Sequence, residues 1–196
     1  MNGIIFTQEN FQATIEGRKT QTRRIVKLPK WADGIDIGAA GKPFAYIEKY
    51  RHTDDAHAEF IKPRYKVGER VYLKESYSFG LEDETVYKYS SLEIKGYKWE
   101  NKLFMPEKYA RYFIEFTDVR CERLQDISEH EDCLKEGIKP IPQKYNGEFI
   151  YNYGGCNCEN TLKRAYAALF EKINGKGTWE SNPYVWVYDF RLKNNN

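Results

Sequence analysis

The clearest strand pattern in this chain is the run Tyr184-Val185-Trp186-Val187-Tyr188-Asp189-Phe190-Arg191-Leu192. Side chains of a β-strand point alternately to opposite faces, so four aromatic residues of the run share one face: Tyr184, Trp186, Tyr188 and Phe190. Large aromatic side chains of this kind dominate the interiors of proteins. We therefore predict that the stripe faces the interior of a β-barrel.

The rest of the chain contains both strand and helix patterns. Strands are predicted at residues 3–6, 71–77, 85–89 and 111–119. Thr7 is a capping residue for a helix that stops at Gly17, and Ser128 forms a capping box with Glu131 for a helix that stops at Gly137. A third helix is predicted from about residue 160 to residue 173. This order predicts an α+β fold, an antiparallel and partly closed β-barrel with flanking helices.

Length and composition indicate one domain. The chain has 196 residues, and 31 Lys and Arg against 29 Asp and Glu give a net charge of +2, too small to indicate a polyanionic partner. No apolar run is long enough to span a bilayer or to act as a secretion signal. We therefore expect a cytoplasmic protein with reduced thiols and no membrane partner. Cys156 and Cys158, with the other cysteines and histidines scattered, show no familiar zinc spacing, so neither a metal nor another cofactor is expected.

A basic segment follows the first predicted helix. No acid occurs between Gly17 and Ala32, and the segment begins Arg18-Lys19-Thr20-Gln21-Thr22-Arg23-Arg24. Guanidinium, ammonium and hydroxyl groups are the donors that phosphates and base edges accept from. In a regular strand Lys19 and Thr22 lie on opposite faces, so they can act together only if the chain turns between them. Taken alone, the segment reads more simply as a solvated charged run.

Glu75 is the strongest candidate that the residue pattern itself provides. It shares a strand face with Val71, Leu73 and Tyr77, so a carboxylate points the apolar way and needs a cation or hydrogen-bond donor. Glu75 is either a site residue that faces the basic segment or half of a buried ion pair that fixes the strand register. Lys74 and Tyr77 beside it are candidate ligand-binding residues, with the Tyr77 ring as a surface for base stacking.

Glu136 is a further candidate. It lies in the last turn of the helix that stops at Gly137, where the helix dipole disfavours an acid. It is either used in a site or compensated by Lys135 or Lys139.

Several motifs together resemble those of phage-type ASCH domain proteins of the PUA-like superfamily. They are residues 4–24, with Glu16-Gly17-Arg18-Lys19-Thr20-Gln21-Thr22-Arg23-Arg24, and residues 67–75, 105–120, 124–138 and 173–187. The resemblance covers nearly the whole chain, residues 1–196, which we treat as a single domain. The exceptions are about 31–62 and 141–158, which we treat as insertions.

The resemblance implies a PUA-like β-barrel with a basic cleft and a role in RNA metabolism or nucleic-acid binding. A small bacterial relative with a similar Gly-Arg-Lys-Thr-x-Thr pattern removes the acetyl group from 4-acetylcytidine with a Lys, a Thr and a Glu. Carried over by motif, these residues are Lys19, Thr22 and Glu136. Glu75 is a carboxylate that the matching strand of that relative lacks.

The leading hypothesis is a single pocket for RNA or a modified nucleoside. Its catalytic candidates are Lys19, Thr22, Glu75 and Glu136, and its binding candidates are Arg18, Thr20, Arg23, Arg24, Lys74 and Tyr77. The alternatives are a ribonuclease and a non-catalytic phage or prophage protein that docks on nucleic acid, with DNA as the other nucleic-acid partner. In a third alternative the acids and bases only stabilise the barrel. The sequence leaves the oligomeric state open.

Overall fold

The computed structural model describes residues 1–38, 40–50, 58–80, 84–89, 96–142, 149–152 and 161–193. These residues form an α+β fold. The helices are α1 (Gln8–Ile15), α2 (Asp132–Lys135) and α3 (Leu162–Asn174). The strands are β1 (Gly3–Ile5), β2 (Gln21–Ile25), β3 (Gly34–Ile37), β4 (Pro43–Tyr46), β5 (Ala58–Phe60), β6 (Arg70–Lys74), β7 (Tyr77–Phe79), β8 (Thr85–Tyr87), β9 (Phe113–Arg123), β10 (Lys139–Pro142), β11 (Phe149–Asn152) and β12 (Tyr184–Lys193).

Five strands form the central sheet in the order β1-β6-β9-β12-β2. The antiparallel prediction is wrong for one pair, because β1 runs parallel to β6, with Gly3 opposite Tyr72. The other three pairings in this sheet are antiparallel. Within the described residues the hydrogen-bonded order ends at β1 on one side and β2 on the other, so these strands form an open, mixed sheet.

Strand β12 is buried on both faces. Trp186, Tyr188 and Phe190 lie in a core with aromatic and aliphatic residues of β1, α1, β6 and β9. Val185 and Val187, on the opposite face, pack in a second core with α3. Three residues of the aromatic stripe are therefore buried and Tyr184 is half-buried against the same core, while α3 covers the other side of the strand.

Two of the helices follow their sequence signals. The Thr7 side chain accepts a hydrogen bond from Asn10 N at the start of α1, and Gly17 follows its end with φ of 74°. The Thr161 side chain accepts one from Arg164 N at the start of α3. The predicted start of α3 at about residue 160 lies just outside the described residues.

The predicted start of α2 is wrong. The helix begins at Asp132, because Ser128 Oγ accepts from Asp132 N while the Asp132 carboxylate accepts from Ser128 N. This reciprocal pair replaces the expected capping box with Glu131. Glu131 instead forms an ion pair with Lys135 at 2.6 Å.

Most predicted strands are present with shifted ends. The strand predicted at 71–77 is divided, because β6 ends at Lys74 and β7 begins at Tyr77. The strand predicted at 111–119 begins at Phe113 and continues to Arg123. The described part of the predicted insertion at about 31–62 holds a three-stranded antiparallel sheet, β3-β4-β5. β10 and β11 pair antiparallel, and β11 with the end of β10 lies in the second predicted insertion.

None of the helices in the described part of the chain is long and apolar enough to cross a membrane.

Candidate functional site

The turn after α1 brings Lys19 next to the end of α2. Lys19 N donates to Ala13 O at 2.9 Å, and Thr20 N donates to Lys135 O at 2.8 Å. Lys19 also forms an isolated antiparallel bridge with Glu136. Because β2 begins only at Gln21, the direction of the Lys19 side chain is not set by the alternation along that strand. Lys19 and Thr22 therefore line the same cavity, as the predicted cooperation between them requires.

Lys19 and Glu136 form a buried ion pair. Lys19 Nζ donates to Glu136 Oε2 at 2.5 Å and to the Glu136 carbonyl at 3.0 Å. Lys19 is 1% exposed and Glu136 is 3% exposed. Burial lowers the pKa of Lys19 below its ordinary value of 10.5, and the Glu136 carboxylate opposes this shift. Removal of either partner would leave a buried charge without its main compensation.

Arg23 holds the second oxygen of the same carboxylate. Its Nη1 lies 3.3 Å from Glu136 Oε1, and its Nη2 lies 2.7 Å from Glu122 Oε1 and 3.2 Å from Asp132 Oδ2. Nη1 also donates to Gln21 Oε1. The expectation that Lys135 or Lys139 compensates Glu136 is thus wrong. The cations that meet it come from the basic segment.

The pair lies on the wall of a cavity of about 270 Å³. Polar lining comes from Lys19, Thr22, Arg23, Arg24 and Glu136. Four more polar residues that the sequence patterns did not indicate as site residues also line it: Thr7, Asn10, Lys102 and Asn174. Apolar lining comes from Phe6, Tyr166, Leu169, Phe170 and Ile173, with Ile5 at the end of β1. The cavity thus combines convergent charged groups with aromatic and aliphatic walls, the usual make-up of a small-molecule site.

Arg24 and Lys102 connect the edge of the cavity to β1. Arg24 Nη2 donates to Ile5 O at 3.0 Å, and its guanidinium lies 5.6 Å from the Phe6 ring centroid. Lys102 Nζ donates to Phe6 O at 2.8 Å. Burial lowers the pKa of both side chains below their ordinary values. Lys102 lies in a segment whose sequence has no strand or helix pattern, so the pattern could not have indicated where its side chain points.

Glu75 does not join this site. Its side chain is fully buried as predicted, but Arg111 binds both carboxylate oxygens, with Nε at 2.9 Å and Nη2 at 2.7 Å. Glu75 is absent from the cavity lining. Burial raises the pKa of Glu75, and Arg111 opposes that shift. The geometry agrees with the buried ion pair, and the expected single cluster of Lys19, Thr22, Arg24, Glu75 and Glu136 is wrong in this one member.

The remaining binding candidates are dispersed. Arg18 is exposed and pairs with Glu16 at 2.5 Å, and Thr20 is absent from the cavity lining. Lys74 lines a different cavity together with Arg24. Tyr77 is 8% exposed and packs against Phe79 and Tyr109, so its ring offers no free face to a base.

The sequence patterns also did not identify Tyr166 and Asn10 as site residues. Tyr166 belongs to the apolar stripe of α3, yet its ring lies 5.9 Å from the Arg23 guanidinium and lines the cavity. Asn10 is 8% exposed on α1 and lines the cavity beside Lys19. A polar residue within the apolar face of α1 is the signal that could have identified Asn10.

Within the described residues, no group of three or more His, Cys, Asp and Glu side chains could hold a metal ion. Cys121 and Cys133 are free thiols, and burial raises the pKa of each to about 12. Cys156, Cys158, His52 and His57 lie outside the described residues.

Comparisons with protein-family models, with curated proteins and with solved structures find no match to this chain.

Proposed function

We propose that this chain is an ASCH-type protein of the PUA-like β-barrel class that binds RNA or a modified nucleoside and hydrolyses an amide of the 4-acetylcytidine type. The observation that carries the proposal is the buried Lys19–Glu136 pair, with Nζ and Oε2 2.5 Å apart, on the wall that also bears Thr22. A lysine, a threonine and a glutamate in one cavity are the set that the motif resemblance implies.

The cavity suits a nucleobase. Its volume of about 270 Å³ is at the small end for ligand sites. Phe6 and Tyr166 supply aromatic surface for a planar ring. Asn10, Lys102 and Arg24 supply hydrogen-bonding groups for the ring edge or the sugar.

In the proposed reaction, Lys19 first passes a proton to Glu136 and, as the neutral amine, removes a proton from a water or from the Thr22 hydroxyl. The activated oxygen bonds to the acetyl carbon, and the bond between this carbon and the exocyclic N4 breaks. N4 takes a proton from the Lys19 ammonium, so cytidine leaves. Acetate follows directly when water attacks, or after a second water cleaves the acyl-Thr22 ester. Glu136 orients Lys19 throughout.

Burial is what prepares Lys19 for this role. A general base works best when its pKa lies near the operating pH, and burial moves the pKa of Lys19 in that direction. Arg23 and Arg24 add to the downward shift of this pKa through like charge. Arg23 also fixes the Glu136 carboxylate from its other side, which limits the positions that Lys19 can adopt.

A binding-only function is the second candidate. It is favoured by the fact that Lys19 donates both to the side chain and to the backbone of Glu136, so the pair ties the end of α2 to the start of β2. In that case the cavity holds a base without turnover.

Hydrolysis of 4-acetylcytidine, followed by absorbance, tests the proposal. Thr22→Val keeps the shape of the side chain and removes the hydroxyl, so attack by Thr22 predicts a fall in kcat of about 10²-fold or more, whereas attack by water predicts no such fall. Thr117→Val is the matched control, because Thr117 is exposed on β9 and absent from the cavity lining. Turnover by the parent and by both variants alike would remove Thr22 from the mechanism. No turnover by the parent would leave binding as the function.

A further inference from the structure

A second cavity, of about 690 Å³, adjoins the first. Ile5, Arg24 and Asn174 line both, so Arg24 stands where the two meet. We call the second cavity the basic groove, because its charged lining consists of Arg24, Lys27, Lys62, Arg64 and Lys74. Among the described residues that line it, none is Asp or Glu.

The basic groove concentrates positive charge, although the net charge of the whole chain is small. The net charge of the protein is only +2, yet five cations line this groove. Arg64 lies close enough to Arg24 to contribute, after burial, to the lowered pKa of Arg24. Like charges held together in this way favour an anionic ligand, which would relieve their repulsion.

The cations retain donors that a ligand could use. Arg24 gives one guanidinium nitrogen to Ile5 O, and Lys74 gives one ammonium hydrogen to Leu103 O at 2.7 Å. Lys27, Lys62 and Arg64 are exposed. An Arg or Lys side chain has several N–H donors, so these contacts do not exhaust them.

The apolar part of the groove narrows the class of ligand. Ile61, Leu103 and Tyr65 line it together with Trp186 and Tyr188 of β12. A small inorganic anion would gain nothing from contact with these apolar side chains. A sugar–phosphate chain has both parts, since its phosphates meet cations and its sugars and bases pack on apolar and aromatic groups.

We propose that the basic groove binds the backbone of a single-stranded nucleic acid whose modified base enters the Lys19–Glu136 cavity. The preferred substrate is then a nucleotide within a strand, whereas a free nucleoside fills the base cavity alone, a conclusion that rests on the proposed function for its base site. Arg24 contacts the strand at the point where the base leaves the backbone.

The test uses the full chain and a pair of double variants with equal charge change. Lys62→Gln/Arg64→Gln removes two exposed cations of the groove, and Lys98→Gln/Lys176→Gln removes two exposed cations that do not line it. Binding of a fluorescein-labelled oligouridine RNA is measured by anisotropy over a series of KCl concentrations. We expect the groove variant to bind at least about tenfold more weakly, with a salt slope smaller by about 1.4 for two lost phosphate contacts.

Two further arms separate this proposal from the proposed function. Turnover of free 4-acetylcytidine should be the same in the groove variant and the parent, because the base cavity is intact. Oligothymidine DNA should show the same loss of affinity, since phosphates are common to both strands. Groove-dependent RNA binding without deacetylation would overturn the proposed reaction and keep the groove. Equal RNA affinity of the two double variants, or no RNA binding by the parent, would overturn the groove.

Discussion

At the scale of single residues, two buried acids have different surroundings. Glu75 meets Arg111, whose side chain is 28% exposed, whereas Glu136 meets Lys19 and Arg23, whose side chains are almost fully buried. Glu136 lines the cavity of about 270 Å³, and Glu75 does not. The two acids therefore serve different purposes, Glu75 in stability and Glu136 in the site.

Glu75→Gln tests the structural role of the first acid. The change replaces one of the two oxygens that Arg111 binds with an NH2 group that cannot accept, so we expect the free energy of unfolding below pH 4.5 to fall by about 1–3 kcal/mol. Urea denaturation measures this fall. Glu115→Gln is the control, because Glu115 pairs with Arg191 and Lys193 at the surface and should matter much less. Equal effects of the two substitutions would contradict the buried-pair account.

The same variant carries a pH prediction. Burial raises the pKa of Glu75 above 4.5, so the folded protein holds this proton more tightly than the unfolded chain does. The stability advantage of the parent over Glu75→Gln is therefore largest below pH 4.5 and falls as the pH rises through the raised pKa. An advantage that grows with pH over this interval would mean that Arg111 outweighs burial.

Residue patterns predicted the burial of Glu75 but not its partner. Alternation along a strand indicates which face a side chain occupies, but it does not indicate which distant residue that side chain contacts. Arg111 lies 36 residues further along the chain. In the same way Lys19 and Glu136 are separated by 117 residues. The sequence neighbours Lys135 and Lys139 looked like the compensating cations because only local spacing was visible.

At the scale of elements, the turn at Gly137, which follows α2 and the bridge residue Glu136, shapes the site. Gly137 has φ of 92°, and a Cβ built there would lie 3.1 Å from Ala13 Cβ and 3.2 Å from Lys19 Cβ. Arg18 Nη1 donates to Gly137 O at 3.2 Å from the other side. The glycine thus allows α1, α2 and Lys19 to approach closely.

Gly137→Ala should destabilise the protein and disturb the site. The left-handed conformation alone costs an alanine about 1–2 kcal/mol, and the close contacts with Ala13 and Lys19 add to this. Gly177→Ala isolates the conformational cost, because Gly177 has φ of 83° and open space around it. Thermal unfolding compares the two. A loss at Gly137 no larger than that at Gly177 would show that the turn tolerates a side chain.

Element types were more predictable than element ends. The Thr7 cap and the Gly17 stop define α1 by local chemistry, so both were readable in the sequence. The start of α2 was wrong because Asp132, rather than Glu131, completes the reciprocal bonds with Ser128. The two residues differ by one position, and only the path of the backbone decides between them.

At the scale of the whole molecule, the cavity depends on contacts between distant segments. The end of β1, the turn before β2, the end of α2 and one face of α3 all contribute lining. Lys102, from the segment before β9, reaches the same wall. Sequence patterns predicted the α+β class and the buried aromatic stripe. The parallel β1–β6 pairing and the separate basic groove arise from the order of strands, which alternation does not encode.

If the Lys19–Glu136 pair is the chemical centre of the protein, removal of both of its charges must abolish the reaction. Lys19→Met and Glu136→Leu each leave a buried charge without its partner, at a cost of about 3–5 kcal/mol. In the double variant both charges are gone, and Arg23 keeps Glu122 and Asp132, so it should be more stable than either single variant. Circular dichroism checks that the fold is retained.

The measurement is the rate of acetate release from 4-acetylcytidine by the parent and by this double variant. We predict release by the parent and, from the folded double variant, a rate at the uncatalysed background. Release at the parental rate from the folded double variant would contradict the claim, because the pair would then serve only to join α2 to β2.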